Sequence, residues 1–98
     1  MARFVLYEDE RGYLLDVQTD LLDGLNTRLV VPLIGIERAP KPIGRLNPIM
    51  EIGGHRYSMT TQYMAATPSR RLGKPVANLQ LRYYHEVQAA LDMIFLGF

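Results

Sequence analysis

Residues Gln80–Phe98, which read QLRYYHEVQAALDMIFLGF, carry the clearest structural pattern in the sequence. Apolar side chains recur in this stretch at helical spacing and form one stripe: Leu81, Tyr84, Val87, Leu91, Ile94 and Phe95. Asn78 is the expected N-cap of this helix, and Gly97 is its expected C-terminal stop. The pattern predicts a helix packed on a sheet. We expect its apolar end either to be covered by the core or to contact a partner.

The composition bounds the class of protein. A chain of 98 residues is expected to form one domain over residues 1–98. The absence of cysteine excludes disulfides and thiolate chemistry, and two histidines are too few to indicate a zinc site, so no metal or cofactor is predicted. No apolar run approaches the ~20 residues of a membrane span, and residues 1–10 lack the apolar region of a signal peptide. A cytoplasmic protein with no membrane partner is expected.

Charge is distributed unevenly along the chain. Residues 1–37 carry three basic and seven acidic side chains, whereas residues 38–74 carry seven basic and one acidic. This asymmetry suggests an anionic partner near the middle of the chain, either a nucleic acid or an acidic peptide. The alternative is that folding mixes these segments and leaves a balanced surface.

The remaining sequence predicts strands. Runs rich in β-branched and aromatic residues predict about five of them: Arg3–Tyr7, Tyr13–Asp20, Arg28–Ile34, Ile49–Ile52 and His55–Tyr63. Gly53-Gly54 suits a two-residue turn between the last two strands. Pro32 lacks an N–H group, so it is expected at a sheet edge or a bulge. Residues 37–48 and 65–74 are interpreted as loops.

No catalytic constellation is evident. The sequence contains no nucleotide-binding, metalloprotease or nucleophile-elbow motif. Three carboxylates close in sequence are interpreted as solvated: Asp16, Asp20 and Asp23. Leu21-Leu22 are interpreted as core, with an exposed apolar patch as the alternative. A metal-free ribonuclease site remains a weak possibility, built from His55, Arg56, Thr60 and Thr61.

Four blocks resemble one known family. They are DVQTDLLD at 16–23, RLVVPL at 28–33, YSMTTQYMA at 57–65 and ALDMIFLGF at 90–98. In order and spacing they are similar to the CcdB toxins of bacterial toxin–antitoxin modules. The resemblance implies a mainly β (α+β) fold, the CcdB/MazF-like SH3-type barrel of antiparallel strands with a C-terminal α-helix.

The resemblance also implies a function. CcdB toxins are homodimers that bind the A subunit of DNA gyrase and trap the cleaved-DNA complex. They are not enzymes, and in the absence of gyrase they do not bind a specific nucleic-acid sequence. A CcdA-like antitoxin with a disordered C-terminal tail neutralises them. The gyrase-binding positions carried over are Leu21, Leu22, Asp92, Leu96, Gly97 and Phe98. The antitoxin-binding positions carried over are Tyr7, Glu8, Asp9, Arg11, Tyr13, Arg38, Lys41 and Arg45.

Two alternatives accompany this hypothesis. A well-studied family member has tryptophan at the position of Leu96, isoleucine at Phe98 and asparagine at Asp92. The first alternative is therefore a CcdB-like homologue that binds antitoxin while its gyrase poisoning is weak or lost. The second is a MazF/Kid-type endoribonuclease, since that class shares the fold and fold alone does not set function.

Overall fold

The structure, a computed structural model, describes residues 2–98 and contains one antiparallel sheet and one α-helix. Its elements are β1 Val5–Asp9, β2 Gly12–Asp16, β3 Thr27–Gly35, β4 Ile49–Ile52, β5 His55–Met59, β6 Ala65–Pro68, β7 Pro75–Asn78 and α1 Gln80–Leu96. The strand order is β4-β5-β3-β2-β1-β7, and β6 also pairs with β3. This sheet curls into a half-barrel and carries α1, which confirms the predicted mainly β fold with a C-terminal helix.

Strand β3 lies at the centre of the sheet. It pairs with β2 along one side, and along the other it pairs first with β6 and then with β5. Pro32 lies between these two pairings, after Val30 opposite Ala65 and before Leu33 opposite Met59. The missing N–H of Pro32 therefore removes no hydrogen bond between strands, because β3 changes its partner from β6 to β5 at this residue. The expectation of an edge or a bulge at Pro32 was wrong.

The structure has seven strands, whereas about five were predicted from the sequence. The segments 65–68 and 75–78 form β6 and β7, although the first was interpreted as part of a loop and the second was not predicted as a strand. Strand β2 ends at Asp16, earlier than predicted, and β5 ends at Met59. The turn between β4 and β5 is as predicted, since Gly53 and Gly54 both adopt positive φ, at 60° and 82°.

The face that α1 buries differs from the predicted stripe. The buried residues of the helix are Tyr83, Val87, Ala90 and Leu91. Leu81 is fully exposed, because the backbone departs from helical geometry at Tyr83, with φ −127°. That kink rotates the first turn relative to the rest. At the other end of the helix, Phe95 is 66% exposed. The predicted stripe was therefore right in its middle and wrong at both ends.

The helix ends follow the predicted chemistry with one shift. The N-cap is Leu79 rather than Asn78, but the Asn78 side chain still accepts a hydrogen bond from the Gln80 N–H at 2.9 Å. Gly97 ends the helix in the left-handed conformation, with φ 82°, and its N–H donates to the Met93 carbonyl. The core of the molecule lies between α1 and the concave face of the sheet, where the largest buried side chains include Leu6, Leu15, Leu33, Met50 and Met59.

Gly12, which begins β2, is a position where only glycine fits. Its φ is +148°, and a Cβ built there would lie 2.2 Å from the Leu33 carbonyl oxygen. We expect Gly12→Ala to lower the free energy of unfolding by about 1–3 kcal/mol, measured by urea denaturation. Gly24→Ala is the matched control, because a Cβ there meets nothing within 4 Å. Equal effects of the two substitutions would contradict this account.

Candidate functional site

A single turn of 3-10 helix, Asp20–Leu22, presents two leucines to solvent. The Leu21 side chain is 92% exposed and that of Leu22 is 48% exposed. The backbone of the turn is nevertheless held, because the Leu21 N–H donates to Thr19 Oγ1 and Gln18 Nε2 donates to the Leu22 carbonyl. The interpretation of these leucines as core was wrong, and the alternative of an exposed patch is what the structure has.

Arg28 anchors this turn from below. Its side chain is 1% exposed, and its Nε and Nη2 donate to the two carboxylate oxygens of Asp16 at 2.7 and 3.0 Å. Its Nη1 donates to Asp23 Oδ1 at 3.2 Å, and the Asp20 carboxylate lies 3.9 Å from Nη2. The three carboxylates therefore converge on one guanidinium. Asp16 is fully buried, so its interpretation as solvated was wrong, whereas Asp20 and Asp23 are 66% and 59% exposed, as interpreted. The hydrogen bond to Asp16 raises the pKa of Arg28, so its charge is permanent.

Arg3 joins the same turn to the helix. Its backbone N–H donates to Asp20 Oδ1 at 2.9 Å, and its Nη2 donates to Gln88 Oε1 at 3.1 Å. Gln88 Nε2 in turn donates to Asp92 Oδ1 at 3.0 Å. A continuous chain of hydrogen bonds therefore connects the leucine turn with Asp92, which lies on the second half of α1.

Phe4 fixes the position of Arg3. It adopts φ 73°, a left-handed conformation that costs a non-glycine residue about 1–2 kcal/mol. Two backbone hydrogen bonds hold it there, from its N–H to the Asp16 carbonyl and from the Leu79 N–H to its own carbonyl. Its ring also packs against Tyr84, with centroids 5.6 Å apart. This strained residue lies directly beneath the surface that carries the leucines.

The end of α1 exposes several apolar side chains close together in sequence. We call it the helix tip, and its exposed residues are Met93, Ile94, Phe95, Leu96 and Phe98. Phe98 is 76% exposed and Phe95 is 66% exposed, so the tip is not covered by the core. Contiguous exposed apolar side chains of this kind mark protein interfaces. Of the predicted gyrase-binding positions, Leu96 and Phe98 lie on the tip, Gly97 lies between them, and Asp92 immediately precedes the tip.

The predicted antitoxin-binding residues divide into several places. Glu8, Asp9 and Tyr13 line a groove of about 660 Å³, together with Glu10, Gly12, Tyr57, Arg71, Gly73 and Lys74. Arg11 and Arg38 line a separate, adjoining pocket of about 210 Å³. Lys41 and Arg45 are exposed on the loop between β3 and β4, outside both cavities.

Tyr7, also predicted to bind antitoxin, is buried. It is 3% exposed, and burial together with repulsion from Asp16 raises the pKa of its hydroxyl. Tyr13 and Tyr57 instead lie at the surface between the groove and the pocket, ring edge to ring face with centroids 5.2 Å apart. Burial and the neighbouring Tyr13 raise the pKa of the Tyr57 hydroxyl.

The residues considered for a ribonuclease site do not assemble. Thr60 and Thr61 are buried, and their hydroxyls donate to the carbonyls of Pro32 and Leu46. His55 and Arg56, in contrast, are exposed on β5. Within residues 2–98 no group of three or more His, Cys, Asp or Glu could hold a metal ion. In the same part of the chain, no helix is long and apolar enough to cross a membrane.

The fold and these surfaces first define a class: a small β-rich protein that leaves apolar side chains exposed on the end of its helix and on a 3-10 turn. Comparison with known families makes this specific. A family model described as CcdB protein matches residues 3–97. The chain therefore belongs to the CcdB family, which is a family of toxins of toxin–antitoxin modules that poison DNA gyrase.

The sequence reasoning missed Arg28 and Arg3, the two arginines that hold this site together. For Arg28 a signal existed, because Asp16, Asp20 and Asp23 precede it and could each reach one guanidinium. Arg3 offered no such signal. Its partners Asp20 and Gln88 lie 17 and 85 residues away in sequence, and only the fold brings them within hydrogen-bonding distance.

Proposed function

We propose that this protein binds the A subunit of DNA gyrase and traps the complex in which gyrase has cleaved DNA. The proposed contacts are Leu21, Leu22, Asp92, Leu96, Gly97 and Phe98. The protein acts by binding and not by catalysis, in the cytoplasm, where gyrase acts on the chromosome. Membership of the CcdB family supports this proposal at the level of the class.

One observation carries the proposal to these residues. Leu21 is held on a fixed turn and yet is 92% exposed, and the end of α1 leaves Leu96 and Phe98 in solvent. Burying such side chains in a partner contributes about 25 cal/mol per Å² of apolar area, and anchors of this kind dominate binding energy. The turn is also joined to the middle of α1 through Arg3 and Gln88, which holds its leucines in a fixed position relative to the helix.

The proposal includes two further partners. Two copies of the chain form a homodimer, which would bring two helix tips together and bury part of their apolar surface. A CcdA-like antitoxin with a disordered tail neutralises the toxin at the groove and pocket beside β1 and β2. That region carries charge of both signs, which suits an extended segment that orders as it binds.

A gyrase cleavage assay tests the proposal. Purified protein is mixed with gyrase from its own host, ATP and supercoiled plasmid, and detergent and protease are then added. We expect linear DNA on the gel, since a trapped cleavage complex releases broken DNA when gyrase is denatured.

The matched control lacks Leu96–Phe98. These residues lie at the exposed end of the helix, so the shortened protein is expected to fold, to bind antitoxin and to yield no linear DNA. Linear DNA from the shortened protein would refute the assignment of the contact residues. If the full chain also yields no linear DNA, the alternative of a CcdB-like protein that has lost gyrase poisoning is favoured. The replacement of tryptophan by Leu96 is the specific reason for that loss.

A further inference from the structure

The adjoining pocket of about 210 Å³ is lined by a concentration of positive charge, and we call it the basic pocket. Arg11 reaches it from the turn between β1 and β2, Arg38 from the turn after β3, and His55 and Arg56 from the start of β5. Gly12, Gly35, Glu37 and Tyr57 complete its lining. Three arginines from three separate elements therefore line the pocket, and His55 lies next to Arg56 at the start of β5.

The arginines of the basic pocket form no ion pair with any residue that the structure describes. Within residues 2–98, none of Arg11, Arg38 and Arg56 forms an ion pair, whereas the buried Arg28 is surrounded by carboxylates. Glu37 is the single acidic residue among those lining the pocket. Guanidinium groups held together without a counterion attract an anion, and their planar donor pattern matches a carboxylate or a phosphate.

The basic pocket opens beside the larger groove. Gly12 and Tyr57 line both cavities, so a ligand in the pocket can continue into the groove over the Tyr13–Tyr57 pair. The groove has mixed charge, with Glu8, Asp9 and Glu10 on the β1–β2 side and Arg71 and Lys74 opposite. None of these five side chains forms an ion pair with another described residue.

We propose that the basic pocket binds an acidic side chain of the antitoxin tail, and that the residues flanking this side chain lie extended in the groove. This rests on the proposed function, since it assigns a specific subsite within the antitoxin-binding region and adds His55 and Arg56 to it. A peptide fits better than a nucleic acid. A phosphodiester backbone continuing into the groove would meet the three acidic residues Glu8, Asp9 and Glu10, whereas a peptide can place neutral or basic residues there.

Calorimetry with a defined probe tests this proposal. The probe is a synthetic peptide with the sequence of the C-terminal tail of the antitoxin encoded with this toxin. We expect Arg38→Gln and Arg56→Gln each to weaken its binding about tenfold to a hundredfold, the usual effect of losing a charge-assisted hydrogen bond. Arg70→Gln is the control, because Arg70 is exposed but lines neither cavity, and it is expected to bind the peptide like the unchanged protein.

A second set of peptides identifies the side chain that enters the pocket. Each acidic residue of the tail is changed in turn to its amide, and we expect one such change to weaken binding to the unchanged protein but not to Arg56→Gln. That loss of additivity is the signature of a direct contact. Thermal melting of each variant confirms that it is folded.

The outcomes separate the subsite from the function on which it rests. If the unchanged protein does not bind the tail peptide, the antitoxin assignment fails and the proposal fails with it. If it binds and the pocket variants bind equally well, the antitoxin assignment stands and the basic pocket is not its subsite. If the variants keep their affinity for the peptide but lose affinity for a 20-base-pair duplex in a fluorescence assay, the pocket binds phosphate and the proposal is overturned.

Discussion

Arg28→Met is expected to lower the free energy of unfolding by about 3–5 kcal/mol, because it leaves the Asp16 carboxylate buried without the guanidinium that neutralises it. A domain of this size is stable by only about 5–15 kcal/mol, so the loss is a large part of the total. Urea denaturation with a common slope for both proteins measures it. The free energy of unfolding of Arg28→Lys is expected to lie between those of the unchanged protein and Arg28→Met. An ammonium group keeps the charge but cannot bond both carboxylate oxygens in the same way.

A paired substitution distinguishes the ion pair from simple packing. Asp16→Leu combined with Arg28→Met removes both charges and keeps apolar volume at both positions, so it is expected to recover much of the lost stability. Recovery would show that the cost of Arg28→Met comes from the unpaired buried carboxylate. A double variant as unstable as the sum of its single variants would indicate that the two side chains matter independently, and it would contradict this account.

The fold was largely predictable because its main signals are local. Helical spacing placed α1, and the Gly53-Gly54 pair placed the turn between β4 and β5. The strands β6 and β7 were missed because they contain proline and small residues. Their pairing with β3 and β1 is a tertiary effect that local propensity does not encode. Pro32 was misplaced for a similar reason, since its tolerance depends on where β3 exchanges one partner strand for another.

The family resemblance named candidate site residues, but the sequence did not indicate how the structure holds them in place. The family resemblance named Leu21 and Leu22, while composition alone had interpreted them as core, because an exposed leucine and a buried one look alike in sequence. Burial of Asp16 and Arg28 was equally invisible, since charged residues are almost never fully buried unless they are paired. Pairing across 12 residues, and the link from Arg3 to Gln88 across 85, become apparent only once the chain is folded.

Leu21→Asp is expected to abolish gyrase poisoning while leaving the fold intact. Leu21 is 92% exposed, so an aspartate there meets solvent in the isolated protein and should change the free energy of unfolding by no more than about 0.5 kcal/mol. In a complex the same carboxylate would be buried against apolar surface without a partner. The loss for a central anchor is about 2–4 kcal/mol of binding energy, or roughly thirtyfold to several hundredfold in Kd.

Two matched variants serve as controls for Leu21→Asp. Leu21→Met keeps an apolar side chain of similar volume and should still yield linear DNA in the cleavage assay. Val76→Asp places the same new charge at an exposed apolar position on β7, away from the leucine turn and the helix tip, and should also leave poisoning unchanged. If Val76→Asp abolished poisoning as fully as Leu21→Asp, the effect would follow from added negative charge rather than from the leucine. If Leu21→Asp still poisoned gyrase, the turn that Arg28 and Arg3 hold in place would serve some purpose other than gyrase recognition.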